Sequence, residues 1–242
     1  MTTRRVFYLV FFLSLPISFP IFRWLENQDL TDSLGLWYTL YSTCVTGLIL
    51  AGGQASRMGG KDKGLLFLNN KPLIEHAIDK IKPQVQQIHI SCNRNLSSYQ
   101  HYGFPISVDS GNTSCGKTQY KGPLAGILAC LSAIDSKYTL IIPCDCPAFP
   151  DDLAKRLLKA LVHTNSDAAV PFDGERIQPL FLLMKTELRD SLSCYYNEEG
   201  RSMKGWLKRI VLTEVDFSQE RESFINLNTT NELQDFSQKN LK

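Results

Sequence analysis

Three cations, Arg57, Lys61 and Lys63, stand in a loop punctuated by Gly52, Gly53, Gly59 and Gly60. Glycines let a backbone approach a ligand closely, because no Cβ intervenes. Bare N–H groups beside fixed cations suit an anionic, phosphate-bearing ligand. A single Gly-Gly pair would ordinarily be a basic surface turn, but the whole arrangement favours phosphate binding. Asp109 closes the run Pro105-Ile-Ser-Val-Asp109, and Asp145 closes Tyr138-Thr-Leu-Ile-Ile-Pro-Cys-Asp145. An acid at the end of a central strand is placed to hold a divalent cation against a triphosphate. The competing role for Asp145 is to cap the helix after Pro150, and Asp151 and Asp152 already stand there for that purpose. Asp145 is therefore read as a metal ligand.

The elements that must position these groups follow from periodicity. Leu48, Ile49, Leu50 and Ala51 read as a fully buried strand that breaks at Gly52-Gly53. Helical spacing predicts a helix over 72–82, ended by Pro83, and Gln87-Ile-His-Ile-Ser91 alternates as a second strand, leading to Cys92-Asn93-Arg94. His89 lies inside that strand and is read as structural. A third short strand covers 105–109, a helix 122–133 opens on Gly122-Pro-Leu-Ala-Gly126, and a buried strand begins at Tyr138. An amphipathic helix is expected over 151–162, with strands at 167–171, 179–184 and 211–216. Asp173-Gly-Glu-Arg176 forms a polar turn between two of them. Helices return at 185–196 and 202–209, where Arg201-Ser202 is either an acidic-substrate contact or solvated surface. Phe224-Ile-Asn-Leu-Asn228 is a short alternation, after which Thr229 can cap the last helix. Strands alternating with helices imply βαβ units and a mostly parallel sheet. In such sheets ligands collect at the carboxyl ends of strands, where Gly52, Asn93 and Asp109 lie.

Gly111-Asn-Thr-Ser-Cys-Gly116-Lys117-Thr118 matches the pattern G-x-x-x-x-G-K-[ST] letter for letter. That motif needs a helix running on from its lysine. Gly122-Pro123 follows shortly and breaks a helix, so the match is read as accidental. The alternative, an NTPase or kinase using Lys117, stays open at this point.

At 242 residues, 43% hydrophobic and 21% charged, the chain allows one sizeable domain, or one domain with an appendage. A net charge of +2 gives no footprint of a nucleic-acid binder. The seven cysteines form no disulfide framework, and the Cys144-x-Cys146 pair lacks a second pair or nearby histidine, so reduced thiols in the cytoplasm are expected and zinc is not. Residues 1–45 form a separate segment: Arg4 and Arg5 precede the apolar run Val6–Leu15, followed by Pro16 and Pro20. This imitates a signal peptide, even a twin-arginine one, without a convincing cleavage site. It is read as an over-long start, with a membrane anchor as the alternative, and the domain proper as residues 46–242.

The run Leu50-Ala-Gly-Gly-Gln-Ala-Ser-Arg-Met-Gly-Gly-Lys-Asp-Lys63 resembles the signature loop of molybdenum cofactor guanylyltransferases, the MobA family. Pro143-Cys-Asp-Cys-Pro147 and Phe224-Ile-Asn-Leu-Asn-Thr229 resemble two further family segments, as do Gly122–Gly126 and Asp173–Arg176. The resemblance covers about Thr46 to Phe236, and residues 1–45 have no counterpart in the family. It implies a three-layer, Rossmann-like α/β nucleotidyltransferase fold with a mostly parallel central sheet. It also implies transfer of GMP from GTP to the phosphate of molybdopterin, with magnesium as cofactor. By similarity, Leu50, Ala51 and Gly52 meet the nucleotide through the backbone, Lys63 binds phosphate or base, and Asp109 contacts the nucleoside. Asp145 binds magnesium, Arg57 and Lys63 neutralise triphosphate charge, and Asn226 and Asn228 lie on the pterin side. The implied partners are GTP, molybdopterin, other cofactor-biosynthesis proteins and molybdoenzyme chaperones, in the cytoplasm and without nucleic acid or membrane.

Two positions depart from the pattern. Ser56 replaces a second arginine present in some members, and Ser91 stands where some relatives have an asparagine that contacts GTP. Related cytidylyltransferases carry Ala-Ala-Gly where this chain has Ala51-Gly52-Gly53, which favours guanine. Use of CTP, or of another phosphorylated acceptor, is the alternative.

Overall fold

The computed structural model describes residues 44–51, 62–108 and 122–239. Its centre is β1 (Val45–Leu50), whose residues are almost all buried, as expected of a parallel strand covered on both faces. Parallel partners flank it. On one side lies β4 (Gln87–Ser91), pairing Leu50 with Ser91, and on the other β6 (Tyr138–Pro143), pairing Leu50 with Pro143. The sheet contains β5 (Ile106–Ser107), β7 (Ala168–Phe172), β8 (Leu182–Lys185) and β9 (Leu212–Asp216), in the order β5-β4-β1-β6-β8-β7-β9. Only β8 runs antiparallel to its neighbours. The chain leaves β1 toward β4 and β5, then returns to the other side at β6. The gap above β1 is thus the topological switch point, where α/β sheets bind ligands.

Helices cover both faces. Neighbouring strand residues point to opposite sides, and two residues of β1 show what each side meets. Leu48 packs in a cluster with Leu124 and Ile127 of α3 (Pro123–Leu131). A Cβ added at Gly47 would instead run into Ile81 of α1 (Leu73–Ile81). α5 (Arg189–Asn197) and α6 (Met203–Leu207) share the α3 layer through Leu192, Met203 and Trp206. α4 (Leu153–Thr164) is tied to the α1 side: buried Gln84 accepts the Ala154 N–H at 2.9 Å and donates to the Pro150 carbonyl at 3.2 Å. The fold is the expected three-layer α/β sandwich.

Several boundaries differ from the sequence reading. The antiparallel hairpin of β2 (Phe67–Leu68) and β3 (Lys71–Pro72) was not anticipated; Asn69 and Asn70 both take positive φ, as a tight two-residue hairpin turn requires. The short helix α2 (Leu96–Gln100) follows β4, and β5 is shorter than expected. A 3-10 stretch, Ser218–Phe224, precedes residues 225–228; Phe224 and Leu227 are buried as anchors and Ile225 is exposed. Asp152 precedes α4 but makes no capping hydrogen bond; it pairs with Arg156 at 3.7 Å, while Asp151 accepts from Lys80 at 2.6 Å. The last helix, α7 (Thr230–Lys239), has the predicted cap. Thr229 Oγ1 accepts the Glu232 N–H at 3.2 Å, and the Glu232 carboxylate takes the Thr229 N–H at 3.0 Å. The segment before residue 44 and the Gly111–Thr118 match lie outside the described residues, and the next described helix opens only at Pro123.

Candidate active site

Three segments distant in sequence meet above β1. Directly after the strand, Ala51 is buried and donates its N–H to the Ser91 carbonyl at 2.8 Å, while Leu50 O accepts from Cys144 N at 3.1 Å. Leu50 and Ala51 are therefore pinned between the ends of β4 and β6, their backbone aligned with the mouth of the sheet. Gly52, Arg57 and Asp109 lie outside the described residues.

The signature loop re-emerges at Asp62, which caps a 3-10 turn over Lys63–Leu65. Lys63 reaches Asp145 Oδ2 with its ammonium and donates to Asn228 Oδ1 as well. The expected phosphate-binding lysine, the expected metal-binding acid and one expected pterin-side asparagine are thus gathered at one point. What the sequence reading had not joined is Lys63 to Asp145: the cation and the acid are an ion pair, both side chains largely buried.

The asparagine loop is locked to the Asp145 loop. Leu227 N donates to the Asp145 carbonyl at 2.9 Å, and the Cys146 thiol donates to Asn226 Oδ1. Leu227 packs with Leu68, Leu73 and Leu233, so the hairpin, α1 and α7 together hold the loop down. Asn226 and Asn228 flank this anchor. Burial pushes the Cys144 and Cys146 thiols well above their ordinary range, the Asp145 charge adding to it. Neutral thiols suit hydrogen-bond donation rather than nucleophilic chemistry.

Asp145 and Asn228 present hard oxygen atoms to the same positive charge. That donor chemistry suits magnesium, which takes one or two carboxylates and completes its octahedron with water and phosphate oxygens. Among the described residues no group of three or more His, Cys, Asp or Glu side chains is arranged for a metal.

Two other polar features are used by the fold. The Asp173 carboxylate, itself buried, accepts from Glu175 N at 2.9 Å, Arg176 N at 2.8 Å and the Gln178 amide. Burial works to raise its pKa, but these donors together hold it below the usual carboxylate range. Arg201 donates to the Tyr196 and Gly200 carbonyls at 2.7 and 2.9 Å and lies over the Tyr196 ring, while Ser202 caps α6. Ser91 is buried against α3: a Cβ on Gly126 would fall 2.6 Å from Ser91 Oγ.

Residues 47–215 match the model of the MobA-like NTP transferase domain. The molybdenum cofactor guanylyltransferase of Shewanella sediminis is 42% identical over 194 residues, covering 80% of this chain and 96% of that protein. The chain belongs to the molybdenum cofactor guanylyltransferase family. As a member of the family it is a nucleotidyltransferase. The family's fold is matched by the molybdopterin-guanine dinucleotide biosynthesis protein A of Archaeoglobus fulgidus, with TM-score 0.66 and 22% identity over 81% of this chain and 98% of that one. A 4-diphosphocytidyl-2C-methyl-D-erythritol synthase from Anaerococcus prevotii shares the fold at TM-score 0.62, with 12% identity over 83% of this chain and 100% of that one.

Sequence reasoning missed Asp62, Asn95, Tyr99 and Cys146 as supports of the site. A period-based reading had no signal for them beyond Asp62 preceding Lys63.

Proposed function

We propose that this protein transfers GMP from GTP to the terminal phosphate of molybdopterin, releasing pyrophosphate. The observation that carries the reading is the convergence of Lys63, Asp145 and Asn228 at the carboxyl ends of β1 and β6. In this reading a phosphate oxygen of molybdopterin attacks the α-phosphorus in line, and the bond to the pyrophosphate oxygen breaks. Both reactants are anions, so the chain's work is positioning and charge neutralisation. Lys63 leaves Asp145 for the triphosphate and, with Arg57, offsets the charge that builds on the leaving group. Leu50, Ala51 and Gly52 hold the nucleotide through their backbone, and Asp109 contacts the nucleoside. Asp145, with Asn228 beside it, would hold magnesium, which when bound supplies Lewis-acid charge and a template for phosphate oxygens. Asn226, oriented by Cys146, faces the pterin side. A phosphate nucleophile is already ionised, so no general base is required.

Preference for guanine rests on Ala51-Gly52-Gly53 and on the names of the relatives. A GTP-using enzyme acts in the cytoplasm, handing its product to later cofactor-biosynthesis proteins or molybdoenzyme chaperones. No helix among the described residues is long and apolar enough to cross a membrane. The test is pyrophosphate release with magnesium and molybdopterin, comparing GTP, CTP and ATP. Release requiring GTP and the pterin together supports the reading; release with CTP overturns the base assignment, and release without the pterin overturns the acceptor.

A further inference from the structure

Asp62 is a buried carboxylate one residue from the ammonium that must meet the triphosphate. Left unpartnered it would be costly to bury and would repel the substrate. Both of its oxygens are engaged. Oδ1 accepts the Tyr99 hydroxyl at 2.7 Å and the Gly64 N–H at 3.2 Å, and Oδ2 accepts the Asn95 amide at 3.0 Å. Its carbonyl takes the Leu65 N–H at 3.2 Å, so Asp62 closes the turn that carries Lys63 from both ends.

The donors come from elsewhere in the fold. Asn95, in the left-handed region at φ 50°, turns the chain out of β4 into α2, and Tyr99 is a fully buried residue of that short helix. The Tyr99 hydroxyl is wedged against Gly64 so closely that a Cβ there would collide with it. Burial, with the Asp62 charge adding to it, pushes the Tyr99 phenol far above its ordinary range, so it stays a neutral donor. The end of β4 thereby grips the loop that leaves β1.

We propose that Tyr99 and Asn95 are positioning residues for nucleotidyl transfer: acting through Asp62, they set the direction in which Lys63 presents its ammonium. This rests on the reading of Lys63 as a triphosphate-binding cation.

The experiment is a double-mutant cycle on GTP affinity, measured by calorimetry with the full chain. Tyr99→Phe keeps the ring and deletes the donor. Asn95→Gly deletes the second donor at an exposed position whose positive φ glycine accepts, so it remains informative should Tyr99→Phe fail to fold. Each change should weaken GTP about tenfold, the scale of one hydrogen bond to a charged group, while leaving the KM for molybdopterin in place. In a Lys63→Met background neither change should weaken GTP further, because the residue they act on is gone. The exchange Asp62→Asn with Asn95→Asp, which reverses donor and acceptor, should recover part of the affinity that Asp62→Asn loses. Losses that simply multiply in the Lys63→Met background would overturn the proposal and leave Tyr99 and Asn95 as scaffold. No loss from either variant would overturn it as well. A Lys63→Met variant that binds GTP normally would overturn the reading of Lys63 itself, and the proposal with it.

Discussion

Leu227 donates its backbone N–H to the Asp145 carbonyl at 2.9 Å. Together with the Cys146 thiol on Asn226 Oδ1, this bond fastens the asparagine loop to the loop at the end of β6. Leu227 is sunk in the apolar cluster under α7, so Asn226 and Asn228 are left at the Asp145 loop. The asparagine loop and the Asp145 loop are thus one unit, and Lys63 reaches into it from the other side.

Asp145→Ala should abolish turnover, by about a thousandfold or more for the loss of a principal electrostatic group. The fold should be retained by circular dichroism but the melting temperature lowered, because the largely buried Lys63 ammonium loses its partner. Without magnesium the same variant should bind GTP at least as tightly as the parent, because Lys63 loses the carboxylate that competes with phosphate. Steady-state rates and metal-free calorimetry check the two parts. Substantial residual magnesium-dependent turnover would sink the assignment of Asp145.

Gly126→Ala should destabilise the fold by about 1–3 kcal/mol, the usual cost of forcing an extra methyl into a filled space. The added Cβ would lie 2.6 Å from Ser91 Oγ but 3.7 Å from Ser91 Cβ. Adding Ser91→Ala should therefore restore most of the loss, as read by urea unfolding. Equal stability of the single variant and the parent would show that β4 and α3 are not in tight register here.

His89 is buried in β4, with Nε2 2.9 Å from Ser107 Oγ, and burial lowers its pKa. An unfolded histidine takes its proton near about pH 6.5, whereas the folded one resists it to lower pH. The unfolded state therefore binds more protons as pH falls below that point, and stability drops with it, by up to about 1.4 kcal/mol per pH unit. Urea unfolding at pH 7.5 and 5.5 should show a larger acid loss for the parent than for His89→Gln. Identical losses would show that His89 carries no part of the pH dependence.

Asp173 works in the opposite region of the scale. Its folded pKa is depressed, so its contribution is complete above about pH 4, where unfolded carboxylates are ionised, and is lost as pH falls through the folded value. The stability gap between the parent and Asp173→Asn should stay constant from pH 7 to 5 and close in stronger acid. A gap already closing at pH 6 would contradict the hydrogen-bonded carboxylate.

Local chemistry in the sequence determined the family, with its glycine- and cation-rich signature run, the acid at the end of β6, the mostly parallel sheet and the Thr229 cap. Each of these is written in neighbouring residues: a run of apolar side chains, a cluster of glycines and cations, a Thr followed three residues later by Glu232. The β2–β3 hairpin escaped because strands of two residues have no period to detect, and α2 escaped because five residues barely complete a turn. The pairings at the site were decided by tertiary structure alone. Lys63 meets Asp145 across 82 positions and Asn228 across 165, and Asp62 meets Tyr99 across 37. Such contacts depend on which strands become neighbours in the sheet, and that order is set by burying β1 from both sides, an outcome of the whole core that no short stretch encodes.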